Sequence, residues 1–248
     1  MKAKSRKQRL DLLVVERGLA ESCQKAQAMI LAGEVSVDGI KVEKAGAQVS
    51  YSAHIDVASR LQKYVSRGGV KLEGALADFE INPAGLVCLD LGSSTGGFSD
   101  CLLQHGAARI YAVDVNTGQL AWKLHQDSRV IRIERNAREL TANEIPEPID
   151  LVVADVSFIS VAKVLPPAVL AAKPGATFLI LIKPQFELRR EDVGEGGIVR
   201  DASLHNKAIA GVELAAASNG LHCLGVSPSR LAGAEGNQEF FLHARKIS

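Results

Sequence analysis

The sequence predicts an α/β chain: a mostly parallel sheet with helices on both faces, preceded by a small α+β unit. Three observations predict it. From Leu86 onward, short runs rich in Val, Leu and Ile alternate with segments of helical period, the pattern of parallel strands joined by helical crossovers. Several runs, such as Phe178–Ile182 in TFLILIK, are apolar throughout, as strands covered on both faces must be. A glycine cluster in LDLGSSTGGFSD stands where one such strand passes into a helix, the context in which glycines serve ligand binding.

The small unit is expected over residues 1–58. RLDLLVVER has helical period and Gly18 stops it. Ser22 is a good N-cap for SCQKAQAMILAG, with an apolar stripe of Ala26, Met29, Ile30 and Ala32 and with Gly33 at the C′ position. VSVDGIKV alternates around Asp38-Gly39, a strong hairpin signal, and AQVSYSAHIDV adds two short strands. So few residues make a thin core, which predicts a module tied to a larger body. SRLQKYVSRGG, residues 59–69, is polar, ends in two glycines and reads as a linker.

Residues 70–248 form the predicted large domain. VKLEGALADF reads as a helix, LVCLDLG as a strand and GGFSDCLLQHG as a helix. RIYAVDV is a strand ending in Asp114, VIRIE a short strand, and DLVVADV a strand ending in Asp155. VAKVLPPAVLAA reads as a helix around a Pro-Pro break, and TFLILIK as a strand running into Lys183. ASLHNKAIAGVELAAASNG is a long helix, and LHCLGVSPS and QEFFLHARKI are closing strands.

A net charge of +1 hides an asymmetry. Residues 1–67 carry 12 of the 29 Lys and Arg but 7 of the 28 Asp and Glu, a local net of +5. A basic module on a neutral-to-acidic body suggests a polyanionic partner. Cys23, Cys88, Cys101 and Cys223 have no C-x-x-C spacing, so neither a zinc site nor a disulfide frame is expected and the compartment is a reducing one. No apolar h-region follows MKAKSRKQRL, and no apolar run reaches the roughly 20 residues of a membrane span. A cytoplasmic location is expected, with no membrane partner and no metal; a monomer is favoured.

The chemistry is expected at the C-terminal ends of the strands. Glycines let the backbone approach a ligand closely, and the following helix start offers free N–H groups. The cofactor-binding candidates are therefore Asp90, Gly92, Ser93, Ser94, Thr95, Gly96, Gly97 and Phe98, with Asn136 further on. Asp114, at the next strand end, suits the two hydroxyls of a ribose. The spacing Gly-x-x-x-Gly-Gly is not the dinucleotide fingerprint, and no Gly-Lys-Ser/Thr phosphate loop is present. S-adenosylmethionine, which has no phosphate, fits this looser loop. Lys183 raises its own question, because lysine is almost never buried without a partner. Asp155 ends the neighbouring strand if the order follows the usual winding, and would supply one.

With those residues in place, the large domain resembles the FtsJ-like ribose 2′-O-methyltransferases. Their Lys-Asp-Lys-Glu tetrad matches Lys71 in SRGGVKLEGAL, Asp155 in ADVSF, Lys183 in LIKPQFE and Glu239 in GNQEFF. The N-terminal unit resembles the RNA-binding fold of small-subunit ribosomal protein S-four, through the run from Ala26 to Gly39. The combination is similar to the TlyA family, called hemolysin A in older naming, and KPQFE with GEGGIVRD is specific to it. Two positions depart from the pattern: Cys23 follows the capping serine, and Glu195 stands where a lysine is common.

The resemblance implies a Rossmann-like S-adenosylmethionine-dependent methyltransferase fold. It also implies methyl transfer to a ribose 2′-hydroxyl, of cytidine in ribosomal RNA or ribosomal subunits. Lys71, Asp155, Lys183 and Glu239 are then the catalytic candidates, with Lys183 at the hydroxyl and Asp155 orienting it. The RNA-binding candidates are Lys4, Arg6, Lys7, Arg9, Lys25, Lys41, Lys44 and, from the linker, Arg67. Their phosphate contacts would position the substrate. Rival readings are a non-catalytic RNA-docking factor, a membrane-active hemolysin, and a methyltransferase for small molecules or proteins.

Overall fold

The structure, a computed structural model, describes residues 7–20, 22–57, 63–233 and 236–247. They fall into two compact units, Met1–Lys63 and Tyr64–Ser248.

The first unit runs β1 (Lys7–Arg9), α1 (Leu10–Glu16), α2 (Cys23–Leu31), β2 (Val35–Val37), β3 (Ile40–Lys41), β4 (Gln48–Ser50) and β5 (Ile55–Val57). Leu10, Leu13 and Val14 of α1 meet Ala26, Met29 and Ile30 of α2 over Val35, Ile55 and Val57. Ser22 caps α2 by accepting a hydrogen bond from the Lys25 amide at 3.2 Å. Asp38 and Gly39, at φ 49° and 80°, form the tight turn between β2 and β3, as a two-residue hairpin with both central residues left-handed requires. The last two strands do not pair with each other: β4 joins β1, and β5 joins β2.

Asp11 anchors this unit. Its carboxylate is 1% exposed and accepts from Arg9 at 2.7 and 3.1 Å, from Gln27 at 2.9 Å and from the Leu12 amide at 2.9 Å. The Arg9 hydrogen bond leads these in holding its pKa down, to about 2. Arg9, expected among the RNA contacts, is thus tied to a carboxylate of its own unit. Asp11 stands two residues beyond Arg9, and the turn from β1 into α1 brings the two side chains together.

The second unit runs α3 (Arg67–Asp78), β6 (Val87–Leu91), α4 (Gly97–Gln104), β7 (Arg109–Asp114), α5 (Trp122–His125), β8 (Val130–Glu134), β9 (Ile149–Ala154), α6 (Leu165–Ala171), β10 (Ala172–Ile182), α7 (Pro184–Glu187), α8 (Ala202–Ser218), β11 (Leu221–Pro228) and β12 (Phe240–Lys246). Its seven-stranded sheet has the order β11-β12-β10-β9-β6-β7-β8. Only β12 runs against its neighbours; the other pairings from β10 to β8 are parallel. Alternate residues of the central strands face two cores. Leu89, Val152, Phe178 and Ile180 pack with Leu165, Ala168, Val212 and Ala216 of α6 and α8. Cys88, Leu151, Leu179 and Leu181 pack with Leu72, Leu76, Phe98 and Leu102 of α3 and α4. Helices therefore cover both faces. The winding reverses between β6 and β9, which opens a crevice at their C-terminal ends.

Three local expectations change. Residues 58–62 of the expected linker lie outside the described residues, but Tyr64 is buried and Arg67–Gly69 form the first turn of α3. One of the linker-like glycines is a packing glycine: a Cβ on Gly69 would stand 2.3 Å from the Tyr64 ring. The Pro166-Pro167 pair opens α6 rather than breaking it, since the first turn of a helix needs no amide donors. The strand ending in Ile182 begins at Ala172, five residues before Thr177, with an irregular register between the two.

Asp11→Ala should destabilise the first unit by about 1–3 kcal/mol, because it leaves inward-facing donors without an acceptor. The wild-type contribution of Asp11 should be full above pH of about 4 and vanish as pH falls toward about 2, since the folded pKa lies below the unfolded one. Native-state hydrogen exchange at the α1 amides of the whole chain reads both effects.

Candidate active site

The loop from Gly92 to Gly97 carries β6 into α4. The amides of Gly92 and Ser93 both donate to the Val113 carbonyl, at 2.9 and 3.1 Å, and fasten the loop to β7. Each glycine is required for its own reason. Gly92 has φ 82°, and a Cβ there would stand 2.5 Å from the Asp155 carbonyl oxygen. Gly96 has φ 91°, and its Cβ would stand 2.1 Å from the Leu124 side chain. Gly97 receives Ser66 and Gly69 against its bare Cα.

Asp114 ends β7. Its carboxylate accepts from the Ser94 amide at 2.9 Å and the Asn116 amide at 3.0 Å. Gly92, Ser94, Asp114 and Asn136 line one cavity of about 330 Å³ with apolar neighbours such as Val115 and Ile159. Asn136 also caps a short 3-10 turn through the Arg138 amide at 3.1 Å. Ser93, Thr95 and Phe98 line a second, adjoining cavity of about 170 Å³. Most of the Phe98 ring is core, stacked on Phe241 at 6.1 Å. Ser93 Oγ is buried and bonded to nothing.

Asp90 lies beneath this loop rather than on a cavity wall. It is fully buried; one oxygen accepts from Ser99 Oγ at 2.6 Å and the other has no partner. Burial pushes its carboxyl up to about 7, opposed by the Ser99 hydrogen bond and reinforced by the charges of Asp155 and Asp114.

Four ionisable residues from distant parts of the chain meet beside the loop. β9 and β10 are parallel neighbours, so Asp155 and Lys183, just past their ends, face each other. Lys183 Nζ forms an ion pair with Asp155 Oδ1 and donates to Ser157 Oγ at 2.8 Å. Lys71, on the inner side of α3, donates to Glu239 Oε2 at 2.6 Å. Glu239 precedes β12 and is 2% exposed. Lys71, Asp155 and Lys183 line the 170 Å³ cavity together with Ser93. Lys71, Lys183 and Glu239 also line a neighbouring cavity of about 470 Å³ with Phe158, Gln185 and Phe186.

Sequence reasoning missed several residues here. Ser157 completes the bonding of Lys183. Phe158 is 88% exposed with φ 66°, a costly backbone for a bulky residue, and its ring lies 5.4 Å from Phe186. Glu187 accepts from Ser160 Oγ at 2.5 Å and from the Val161 amide at 2.8 Å, and burial raises its carboxyl. The segments DVSFIS and KPQFE are thus bonded to each other at several points. The two motifs were visible as words in the sequence, but nothing in one announced its contact with the other.

The comparisons with known proteins bear on this geometry. The FtsJ-like methyltransferase model matches residues 64–246, which hold all four ionisable residues and the glycine loop. This chain belongs to the FtsJ-like methyltransferase family. Residues 8–55 match the S4 domain. The chain is 46% identical over 243 residues to the 16S/23S rRNA (cytidine-2′-O)-methyltransferase TlyA of Mycobacterium tuberculosis, covering 97% of this chain and 91% of that protein. It is 42% identical to Hemolysin A of Brachyspira hyodysenteriae, covering 95% and 98% of the two chains. Among solved structures, a hemolysin-named protein from Streptococcus thermophilus aligns with TM-score 0.76 and 38% identity over 98% of this chain and 90% of that one. A SAM dependent methyltransferase from Aquifex aeolicus, at TM-score 0.51 and 19% identity, covers 73% and 94% and shares the fold alone.

The basic candidates of this FtsJ-like methyltransferase divide. Lys7, Lys25, Lys41 and Lys44 are exposed in the first unit. Lys4 and Arg6 lie outside the described residues. Arg67 belongs to the second unit, where it donates to the Ala232 carbonyl at 3.1 Å.

Between pH of about 4 and about 7 the folded chain keeps the Asp90 proton that the unfolded chain has released. Asp90 therefore lowers stability as pH rises through that window. Asp90→Asn should remove this slope from a urea-unfolding series; an unchanged slope would show that Asp90 is ionised in the folded chain throughout.

Proposed function

We propose that this chain transfers a methyl group from S-adenosylmethionine to the 2′-hydroxyl of a cytidine ribose in ribosomal RNA. One observation carries the reading: Lys183, fixed by Asp155 and Ser157, stands on the wall shared by the smaller glycine-loop cavity and the cavity beyond. The relatives named as rRNA (cytidine-2′-O)-methyltransferases support the substrate.

The residues present fit the cofactor. Gly92 lines the cavity and lets the loop close on the Asp155 carbonyl, Ser93 Oγ is buried with no partner, and Asp114 stands where a ribose diol can be met. Gly92, Ser93, Ser94, Thr95, Asp114 and Asn136 would hold it, with Gly96, Gly97, Phe98 and Asp90 shaping the loop from behind. When bound, S-adenosylmethionine supplies an electrophilic methyl group on a sulfonium.

The chain's own residues then have three tasks. Lys183 Nζ holds the 2′-hydroxyl oxygen and stabilises the negative charge that grows there as its proton is lost. Asp155 keeps that ammonium in place and, with Ser157, fixes its direction. Lys71 and Glu239 bound the same space with a second pair, whose burial keeps the geometry rigid. The hydroxyl proton is taken up within the Asp155–Lys183 pair that holds the oxygen. In this reading residues 1–58 dock RNA and residues 70–248 carry the reaction, in the cytoplasm.

A hemolysin name is carried by both the Brachyspira hyodysenteriae and the Streptococcus thermophilus proteins. Among the described residues no helix is long and apolar enough to cross a membrane, and pore formation needs no paired lysine beside a glycine cradle.

Lys183→Met should cut methylation of ribosomal RNA by at least about a hundredfold and leave S-adenosylmethionine affinity within about twofold. Methylation at the wild-type rate would reduce Lys183 to a structural role. For docking, changing Lys25, Lys41 and Lys44 together to Gln should lower the slope of log affinity against log salt by up to about 3 units. An unchanged slope would move the RNA contact off the first unit.

A further inference from the structure

The cavity on the far side of Lys183 from the glycine loop has chemistry of its own. Two aromatic rings, Phe158 and Phe186, stand in its wall 5.4 Å apart and tilted by 50°. Its wall also holds two neutral amide side chains, Asn237 and Gln185. Asn237 is fully engaged: Oδ1 accepts from the Val199 amide at 2.9 Å, and Nδ2 donates to the Gly197 carbonyl at 2.9 Å. Gln185 is not: its Oε1 is buried and accepts no hydrogen bond.

A buried polar atom left without a partner costs stability, so a folded chain keeps one only where something else compensates. Gln185 is the second residue of the four-residue α7, where Leu or Met would fill the same space at no polar cost. The orphan stands two residues from Lys183, in a wall that also contains exposed aromatic surface. Aromatic faces take an unstacked base, and edge hydrogen bonds then identify it.

We propose that this cavity receives the target nucleobase and that the Gln185 amide reads its pairing edge. The ligand class is a base with an exocyclic amino group beside a ring acceptor nitrogen. Cytosine has this pattern: its 4-amino group donates to Gln185 Oε1, and its N3 accepts from Nε2. Uracil presents the reverse, an acceptor at O4 and a donor at N3, and opposes both amide groups in the orientation that cytosine selects. Gln185 is thus a specificity-determining residue, separate from the four ionisable groups that serve the ribose. The inference rests on the proposed methyl transfer and adds the means of base choice.

The test uses ribosomal subunits from cells lacking this protein, with cytidine or uridine at the position where the wild-type protein places its 2′-O-methyl group. The wild-type chain should favour cytidine by at least about tenfold in kcat/KM. Gln185→Leu should bring that ratio to about one, chiefly by losing rate on cytidine. Gln185→Glu keeps the acceptor but loses the donor, and should give an intermediate ratio. Thermal melting and S-adenosylhomocysteine affinity of both variants should match the wild-type chain, which separates base reading from damage to the fold. An unchanged ratio in a folded Gln185→Leu chain, or an equal fall on both substrates, would overturn the assignment. Wild-type protein that methylates neither substrate would overturn the methyl-transfer reading and this inference with it.

Discussion

A charge at the end of a buried strand cannot stand alone, and the site follows from that constraint. Phe178–Ile182 lie in the centre of the sheet with both faces covered, and the next residue is Lys183. Breaking a buried pair leaves an uncompensated charge, which costs several kcal/mol. The partner must come from an adjacent strand end. Parallel pairing of β9 with β10 brings Asp155 there. The same rule holds on the other side of the cavity, where Glu239 at 2% exposure is matched by Lys71. Two ion pairs drawn from four separate elements therefore fix the relative positions of α3, β9, β10 and the approach to β12.

The glycine loop is coupled to that arrangement through the backbone. Gly92 lies against the Asp155 carbonyl too closely for any side chain, and the Asp155 amide donates to the Leu91 carbonyl at 2.9 Å. The cradle and the ion pair thus share one rigid junction at the switch in sheet winding. Beneath it, Asp90 holds a carboxyl whose second oxygen has no partner. Burial with only partial satisfaction is a cost that sites tolerate and ordinary cores avoid. Phe158, held in a left-handed conformation beside the same junction, is a second such cost.

The small unit follows a different logic. Its core is thin, and it is pinned by one carboxylate that gathers the end of β1, the first turn of α1 and part of α2 through Arg9, Leu12 and Gln27. Its exposed lysines form no rigid constellation comparable to the tetrad. Long cationic side chains that meet phosphates need only a shared sign and access to solvent. In the proposed reaction, geometry matters for the ribose oxygen and the base edge far more than for the phosphates that deliver them.

The order of strands and helices was legible in the sequence, because a two-sided apolar run and a helical stripe are local patterns. The glycine loop and the terminal residues Asp114, Asp155 and Lys183 were legible too, since the ends of such runs are where ligands bind. The expected linker was misread for a physical reason: a glycine that admits a neighbour is written with the same letter as a glycine that bends. Gly69 makes room for Tyr64, and only packing reveals it. Arg9 pairs with Asp11 only two residues on, and the turn from β1 into α1 sets that contact. Tertiary structure alone decided that Lys71 meets Glu239 across 168 positions, that Ser157 and Phe158 flank Lys183, and that Gln185 is left with a buried oxygen unmatched. Local pattern encodes which residues are buried and where strands end; which polar groups find each other depends on chain segments that the pattern treats as independent.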